Sequence, residues 1–384
     1  MKNRRCLFKR TLRMILPMVI IAGIIIGSCQ VKRTGIKANA EVIYAKAEVV
    51  EILEDYSGGQ PYGGAQKVLA TITGGDYKGK ICELENSNTY QRGAFCTVGT
   101  KIIALIKDNN GILSGSVYNY DRTFMIYVLL GIFALSLILV GGKKGAASLY
   151  ALLFTFACIV CMYIPLLYAG MNGILSALFT AIVILVASIY ILNGWSLKTK
   201  CAIIGTTIGV VISGVMAMIV GKGSGLSGYN MQDVESMVYI ANYSKLDVAG
   251  ILYAGILISS LGAVMDVSVS IVAAIYEIHE KAPNLSVKEL FLSGMNVGHD
   301  MMGTMSNTLI LAYAGSATGT ILTIYSYEMP YLQIMGYNSI VIEIVCGLCG
   351  TIGVILTVPV QAIVASLGFK MHFQNKNKKI NDKR

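Results

Sequence analysis

The chain contains a series of apolar runs that are each close to the length needed to cross a lipid bilayer. A membrane-spanning helix needs roughly 20 predominantly apolar residues. From residue 124 onward we identify seven such runs, at 124–141, 146–168, 171–192, 202–220, 248–268, 304–326 and 338–366. Hydrophobic residues make up 55% of the chain and charged residues only 14%, which is too little charge for a soluble surface. The pattern predicts an all-α polytopic membrane bundle over residues 123–368.

A further apolar run, Met14–Cys29, follows a strongly basic N-terminus. A basic head before an apolar stretch is typical of a signal peptide or of a retained signal anchor. Two cleavage signals compete with retention, because Ile26–Cys29 resembles a lipobox and Ala38–Ala40 has the small-x-small form of a signal-peptidase site. The second signal lies beyond a long basic spacer, so the pattern favours an anchor within residues 1–30. With this anchor the bundle has about eight spans.

Basic residues cluster at both termini and in short loops between the apolar runs. They include Lys2, Arg4, Arg5, Lys9, Arg10, Arg13, Lys143, Lys144, Lys198, Lys200, Lys281, Lys288 and the tail at 369–384. Because Lys and Arg accumulate on the cytoplasmic side of a membrane, we expect both termini to be cytoplasmic. This clustering accounts for the net charge of +10, and no interleaving of basic and aromatic residues suggests a nucleic-acid partner.

Residues 31–122 have a different pattern, with short β segments separated by turn signals. Candidate strands lie at 42–53, 67–73, 79–84, 100–106 and 112–117, and Gly-rich and Asp-Asn-Gly turns separate them. Five short strands suit a small extracytoplasmic barrel of the OB or SH3-like kind. This domain is either a soluble spacer or the binding site for a protein partner. Its two cysteines, Cys82 and Cys96, either pair as a disulfide or stay as free thiols.

Four polar side chains recur with helical spacing near the start of the run at 304–326. They are Asn296, Asp300, Thr304 and Asn307, whose separations of three and four residues place them on one face of a helix. Such a stripe is costly to expose to lipid. We therefore expect it to face the bundle interior or water.

The preceding run carries a similar face with Asp266 and Ser270. Consecutive spans joined by a short hairpin run antiparallel, so our hypothesis is that Asp266 and Asp300 share one polar cavity. Two carboxylates at low dielectric do not both stay ionised, so one would be protonated or a cation would lie between them. Oxygen ligands favour a proton or a hard cation over a soft metal. The alternative is that these groups hydrogen-bond across helices and only hold the bundle together.

Two local patterns predict how the helices begin and pack. Ser286–Glu289 has the form of a capping box, and it predicts a short interfacial helix at 287–293 before the next span. The motif Gly205-x-x-x-Gly209 predicts close approach of helix backbones. The same holds for three glycines of the last run, which are Gly347, Gly350 and Gly353.

No pattern typical of a catalytic or metal site occurs in the sequence. We find no HExxH motif, no Cys/His cluster and no Ser/His or Cys/His pairing at catalytic spacing, so we expect no enzyme activity, no cofactor and no metal centre. His299 points about 100° away from Asp300 on a helix. His279 and His372 are predicted at the cytoplasmic surface.

Two segments of this chain resemble a known family. They are SSLGAVMDVSVSIVAAIYEI at 259–278 and NLSVKELFLSGMNVGHDMMGTMSNTLILAYAGS at 284–316, and they are similar to the YibE/F-like family of bacterial integral membrane proteins. The likeness extends over about residues 120–365. It implies a multi-pass protein of the bacterial cytoplasmic membrane. It implies no catalytic residue.

Together these patterns lead to two expectations of function. The first is a permease for a small solute, a proton or another cation, with Asp266 and Asp300 as the groups that titrate or bind. The second is a membrane scaffold or a sensory or assembly protein, whose extracytoplasmic β domain binds a protein partner. The lipid bilayer is the surrounding medium in both.

Overall fold

The computed structural model describes residues 43–58, 63–87, 93–109, 112–228 and 247–381, together with single residues at 23, 238 and 240. Side chains are described as far as residue 371. These residues form two compact units, which meet in the chain between Leu139 and Val140. The predicted anchor at 14–29 lies outside the described residues, apart from Gly23.

Five strands form the first unit. They are β1 Ile43–Asp55, β2 Ala65–Ile72, β3 Ile81–Ser87, β4 Lys101–Asn109 and β5 Ile112–Tyr120. They close into a barrel in the order β1-β2-β3-β5-β4. The β3–β5 pair is parallel and the other pairs are antiparallel. The predicted small barrel is confirmed, and its strand order is the Greek-key arrangement of the OB kind.

Apolar and polar residues alternate along the strands, and the apolar side chains fill the barrel core. Along β2, for example, Val68, Ala70 and Ile72 are fully buried, since every second side chain of a strand faces the same side. Gly115 of β5 is required by close packing, because a Cβ at this position would overlap the carbonyl group of Leu105 on β4. The packing of the barrel core therefore depends both on the volume of its buried side chains and on the absence of a side chain at Gly115.

Both barrel cysteines are free and buried. The Sγ atom of Cys82 lies 3.6 Å from the carbonyl oxygen of Ala70, and that of Cys96 lies 3.3 Å from the carbonyl oxygen of Ala94. Burial raises the pKa of Cys82, and it raises that of Cys96 to about 11. Of the two alternatives for this pair, the structure shows free thiols, which are held in the unreactive protonated form.

Helices make up the rest of the described chain. They are α1 Thr123–Cys158, α2 Ile164–Tyr168, α3 Gly173–Asn193, α4 Leu197–Gly223, α5 Val248–Lys281, α6 Val287–Ser316, α7 Thr318–Ser326, α8 Tyr331–Met335 and α9 Asn338–Asn381. A single π-helical stretch, Ile159–Tyr163, joins α1 to α2. Within the described ranges five helices are long and apolar enough to cross a membrane, or six if the bent pair α6–α7 is one span.

The predicted number of about eight spans is not confirmed. The predicted spans 124–141 and 146–168 fall in one helical stretch that is interrupted at Gly142, whose φ of 53° and ψ of −129° are not helical. Glycine adopts such a conformation without a Cβ clash. The interruption coincides with the loop that the sequence predicts there.

Helix α6 differs most from its sequence-based prediction. The capping box is confirmed, since the Ser286 hydroxyl accepts from the Glu289 N–H and the Glu289 carboxylate accepts from the Ser286 N–H. The helix then continues without a break to Ser316. The separate interfacial helix predicted at 287–293 is therefore wrong. A good cap starts a helix but does not stop it, and no proline follows within α6.

Helix α9 lies at the centre of the bundle and packs against α4, α5 and α6. The predicted role of the glycines in close approach is confirmed for α4, where Gly205 lies against Gln361 and Gly209 against Thr357. In α9 a Cβ on Gly353 would lie 2.6 Å from the Cβ of Ser213. Small residues thus allow α4 and α9 to approach closely at several positions along their lengths.

Candidate functional site

The predicted acids both lie near the middle of long helices. Asp266 is on α5 and Asp300 is on α6, more than a dozen residues from either end. Glycine contacts give the register of the two helices, because a Cβ on Gly294 would lie 2.5 Å from Ile275, and one on Gly298 would lie 3.2 Å from Ile271. Both acids therefore lie well inside the lengths of their helices.

This register also gives the depth of one acid relative to the other. Counting from the Gly298–Ile271 contact places Asp266 opposite residue 303, and counting from the Ser259–Tyr313 hydrogen bond places it opposite residue 306. Asp300 is three to six residues away from that level. At about 1.5 Å per residue the two acids are separated by roughly 5–9 Å along the helix axes.

The inward face of α6 is made of small and apolar residues. Its buried positions are Leu290, Gly294 and Gly298, and these pack against the bundle core with Ile271 and Ile275. The repeat of four residues between them defines one face of the helix.

The polar stripe lies on the opposite face of α6. Asn296, Asp300, Thr304 and Asn307 are all exposed within the single chain. Within the single chain the stripe therefore does not face the bundle interior, which leaves water as the other environment that the sequence pattern allows. The physical reason is that the two glycines allow α6 to pack closely through their own face, which leaves the polar face outward.

Asp266 shares an exposed stripe of α5 with Ser259, while Ser270 is half-exposed. The Ser259 hydroxyl lies 2.6 Å from the Tyr313 hydroxyl of α6, so this stripe borders α6. The two acids lie on outward faces of neighbouring helices. The polar cavity that they are predicted to share stays a prediction.

Within the described part of the chain, neither carboxylate forms an ion pair or a hydrogen bond. Asn296 and Asn307 likewise have no side-chain hydrogen bond there, whereas the Thr304 hydroxyl donates to the carbonyl oxygen of Met301 at 2.9 Å. No group of three or more His, Cys, Asp or Glu side chains that could hold a metal occurs among the described residues. An unpaired acid at membrane depth requires water, a cation or another polar group.

A second set of polar residues, missed by sequence reasoning, lies inside the bundle and is fully paired. Gln361 of α9 donates to the carbonyl oxygen of Cys201 at 3.1 Å and accepts from the Ser268 hydroxyl at 2.6 Å. Ser213 of α4 donates to Ser260 of α5 at 3.1 Å. These bonds cross between helices, so this set stabilises the bundle in the way that the alternative hypothesis proposed for the acids.

Sequence reasoning also missed Glu343 and misplaced His279. Glu343 lies in the first two turns of α9 and lines a pocket with Tyr313. An acid within the apolar run 338–366 was the available signal. His279 is 1% exposed, so its predicted surface position is wrong; it is covered because the last turn of α5 packs into the bundle. The side chain of His372 lies outside the described residues.

Comparison with known proteins supports the resemblance noted in the sequence. No curated protein and no solved structure matches the chain. The family described as YibE/F-like protein matches residues 129–371, a range that contains the acids, the polar stripe and helices α3 to α8. The chain belongs to the YibE/F-like protein family.

Proposed function

We propose that the protein is a permease for protons or small cations, in which the exposed faces of α5 and α6 form one wall of a hydrated path. One observation carries this proposal: Asp266 and Asp300 lie mid-helix and have no ion pair or hydrogen bond among the described residues. Burial against lipid would cost several kcal/mol for each charge. Contact with water or with a transported cation removes that cost.

The α6 side of this path supplies uncharged ligands. The outward face of α6 presents Asn296, Thr304 and Asn307 beside Asp300, which supplies uncharged oxygen ligands for a partly dehydrated cation. Half-exposed Ser270 adds a hydroxyl on α5. These residues bind and release the solute, and no covalent chemistry is required of a carrier of this kind.

We infer that the protein resides in the cytoplasmic membrane of a bacterium, with both termini in the cytoplasm. The distribution of Lys and Arg supports this orientation. A proton path is then coupled to the pH difference across that membrane. Protonation of either carboxylate would remove its charge during the passage of a proton.

The test is proton flux into liposomes that contain the reconstituted protein and a trapped pH-sensitive dye. We expect Asp266→Asn and Asp300→Asn each to reduce the flux at least tenfold, because an amide cannot exchange a proton. The matched control is Glu280→Gln, which removes an exposed acid from the last turn of α5. Wild-type flux of H⁺, Na⁺ and K⁺ in the double variant would exclude the proposed path.

A second candidate function, assembly with a protein partner, is favoured by an exposed aromatic pair on the barrel. The rings of Tyr44 and Tyr118 lie edge to face with centroids 5.5 Å apart, and Tyr44 is 58% exposed. Tyrosine is enriched in protein interfaces. If assembly is the function, Tyr44→Ser with Tyr118→Ser should abolish it in the intact cell and leave proton flux unchanged.

A further inference from the structure

A groove lies on the outer face of the barrel, over strand β5. Its volume is about 530 Å³, which is within the roughly 300–1,000 Å³ that small-molecule sites occupy. Its lining comes from three neighbouring strands, β3, β5 and β4, and combines charged, hydroxyl and apolar side chains. Because these strands belong to one compact unit, the groove is a feature of the barrel alone.

The register of the three strands explains why a groove forms here. The outward residues make two rows across the sheet, in which longer side chains of β3 and β4 flank a serine of β5. The rows are Glu83–Ser114–Lys107 and Glu85–Ser116–Leu105. Since the middle strand carries the shortest side chains, it forms the floor, and the side chains of β3 and β4 form the two walls.

The charged side chains of these rows point away from the barrel core. On β3, Cys82 and Leu84 are buried, whereas Glu83 and Glu85 are exposed, as the alternation of a strand requires. Lys107 on β4 is exposed as well. The three charged groups therefore lie on the same outer surface as the groove.

Two of these three charges remain to be paired by a ligand. Glu83 forms a salt bridge with Lys67 of β2, and Lys67 acts on Glu85 only at longer range. The side chains of Glu85 and Lys107 form no ion pair or hydrogen bond within the part of the chain that the structure describes. A ligand with a single charge leaves one of them unpaired, whereas a zwitterion pairs with both.

The positions of Glu85 and Lys107 set the length of that zwitterion. The two residues are two strands apart and are offset by two residues along the strands, so their Cα atoms are roughly 12 Å apart. An extended dipeptide is about 7 Å long, and each charged contact adds about 2.8 Å. A dipeptide therefore reaches both walls, whereas a single amino acid is too short.

The uncharged groups of the groove suit the middle of such a ligand. The hydroxyls of Ser114 and Ser116 can donate to the carbonyl group of a peptide bond or accept from its N–H. Leu105 lies in the same row as Glu85. It offers apolar surface to the side chain of the residue whose ammonium group meets Glu85.

We propose that this groove binds a dipeptide with free termini, whose ammonium group pairs with Glu85 and whose carboxylate pairs with Lys107. The serine hydroxyls bind the peptide bond between these two groups. The barrel then has a site for a small zwitterion, in addition to any contact with a protein partner. This site does not rest on the proposed cation path.

The experiment measures binding of radiolabelled leucylglycine to the full-length protein in neutral detergent micelles, by equilibrium dialysis. We expect saturable binding of one dipeptide per chain. Unlabelled leucylglycine should compete, whereas N-acetyl-leucylglycine and leucylglycine amide should each compete at least tenfold less well, because each lacks one charge. Leucine should also compete at least tenfold less well. Absence of saturable binding, or equal competition by either blocked dipeptide, would overturn the proposal.

Variants test the two assigned residues. Glu85→Gln and Lys107→Gln should each weaken leucylglycine binding at least tenfold. The matched controls are Glu51→Gln and Lys101→Gln, which remove exposed charges of the barrel outside the groove and should leave binding unchanged. All four side chains are exposed, so these substitutions leave the barrel core intact. Asp266→Asn should bind the dipeptide as the wild type does. Wild-type affinity in both Glu85→Gln and Lys107→Gln would refute the site.

Discussion

Asp121 shows how one residue fixes the junction between the last strand and the first helix. Its carboxylate accepts from the hydroxyl of Thr123, from the Thr123 N–H at 2.9 Å and from the Lys46 ammonium at 3.1 Å. These contacts, with the Thr123 hydroxyl first, lower the pKa of Asp121 below its usual value of 3.8. The ionised form is therefore the one that stabilises the folded barrel.

The sign of the pH dependence follows from this lowered pKa. Above about pH 5 the stabilisation is fully present, and it is lost as the pH falls through the pKa of the folded state. We expect Asp121→Asn to lower the barrel stability by about 0.5–1 kcal/mol at pH 7, since the pair with Lys46 is partly solvent-screened. The loss should shrink as the pH is lowered from 5 to 3.

Hydrogen exchange of the β1 and β4 amides in the intact protein measures this effect, because the Asp121 N–H donates to the Lys101 carbonyl of β4 at 2.9 Å. The matched control is Asp76→Asn, which removes an exposed acid of the same domain. Equal protection of wild type and Asp121→Asn at pH 7 would contradict the assigned role.

Individual polar residues show what the sequence can and cannot predict about the site. The spacing of Asn296, Asp300 and Asn307 correctly indicates that they share a helix face, because helical geometry is local. The spacing does not say which face packs inward, since that depends on the partner helices. Gln361 is an example of the opposite kind: its bond to Ser268 joins residues far apart in the sequence, so no local pattern predicts it.

At the level of a helix, the glycines of α6 determine which face of this helix packs against the bundle. A Cβ on Gly298 would overlap Val358 and approach Ile271 at 3.2 Å, whereas a Cβ on Gly303 would meet nothing within 4 Å. We expect Gly298→Ala to destabilise the bundle by about 1–3 kcal/mol through overpacking. Gly303→Ala, the matched control, should be neutral or stabilising by up to about 1 kcal/mol, because alanine favours helix more than glycine.

Thermal unfolding in detergent, followed by far-UV circular dichroism, distinguishes these two outcomes. A lower midpoint for Gly298→Ala and an equal or higher one for Gly303→Ala is the expected result. The same direction of change in both would mean that α6 packs through a different face.

The elements themselves were predictable to different degrees. The five strands follow from alternation and turn residues, which are local signals, and all five occur close to their predicted positions. The continuity of α6 was not predicted, because its polar residues lower the hydropathy over 287–303 below that of a span. The burial of its Gly294–Gly298 face supplies the stability that the sequence pattern alone did not show.

For the whole molecule, the two units have separate cores. The barrel core and the bundle core share no residue among those described. We expect removal of residues 35–120 to leave the thermal stability of the bundle unchanged within about 2 °C, a shift that would correspond to less than about 1 kcal/mol for a unit of this size. The fluorescence of Trp195, the single tryptophan of the chain, reports on the bundle in both proteins.

This deletion also separates the two proposed functions. A permease should keep its proton flux without the barrel, whereas an assembly protein should lose its function in the cell. A large fall in the unfolding midpoint of the bundle would contradict the separate cores.

The overall arrangement could be predicted only in outline. Composition and run length predict a membrane bundle with an external β domain, because both depend on sums over many residues. The predicted number of spans is not confirmed, since the break at Gly142 and the bend after Ser316 depend on single backbone angles. The strand order of the barrel requires pairing of β3 with β5, which no local sequence feature specifies.

Closure of the barrel has a consequence for any protein that meets it. Each strand already has two hydrogen-bonded neighbours, so the barrel has no free edge strand. A partner protein therefore cannot bind by adding a strand to the sheet. For the same reason, barrels of neighbouring molecules do not aggregate through strand pairing. A partner must instead contact the outward-facing side chains of the barrel. Single substitutions of these side chains can therefore change binding specificity without disturbing the barrel itself.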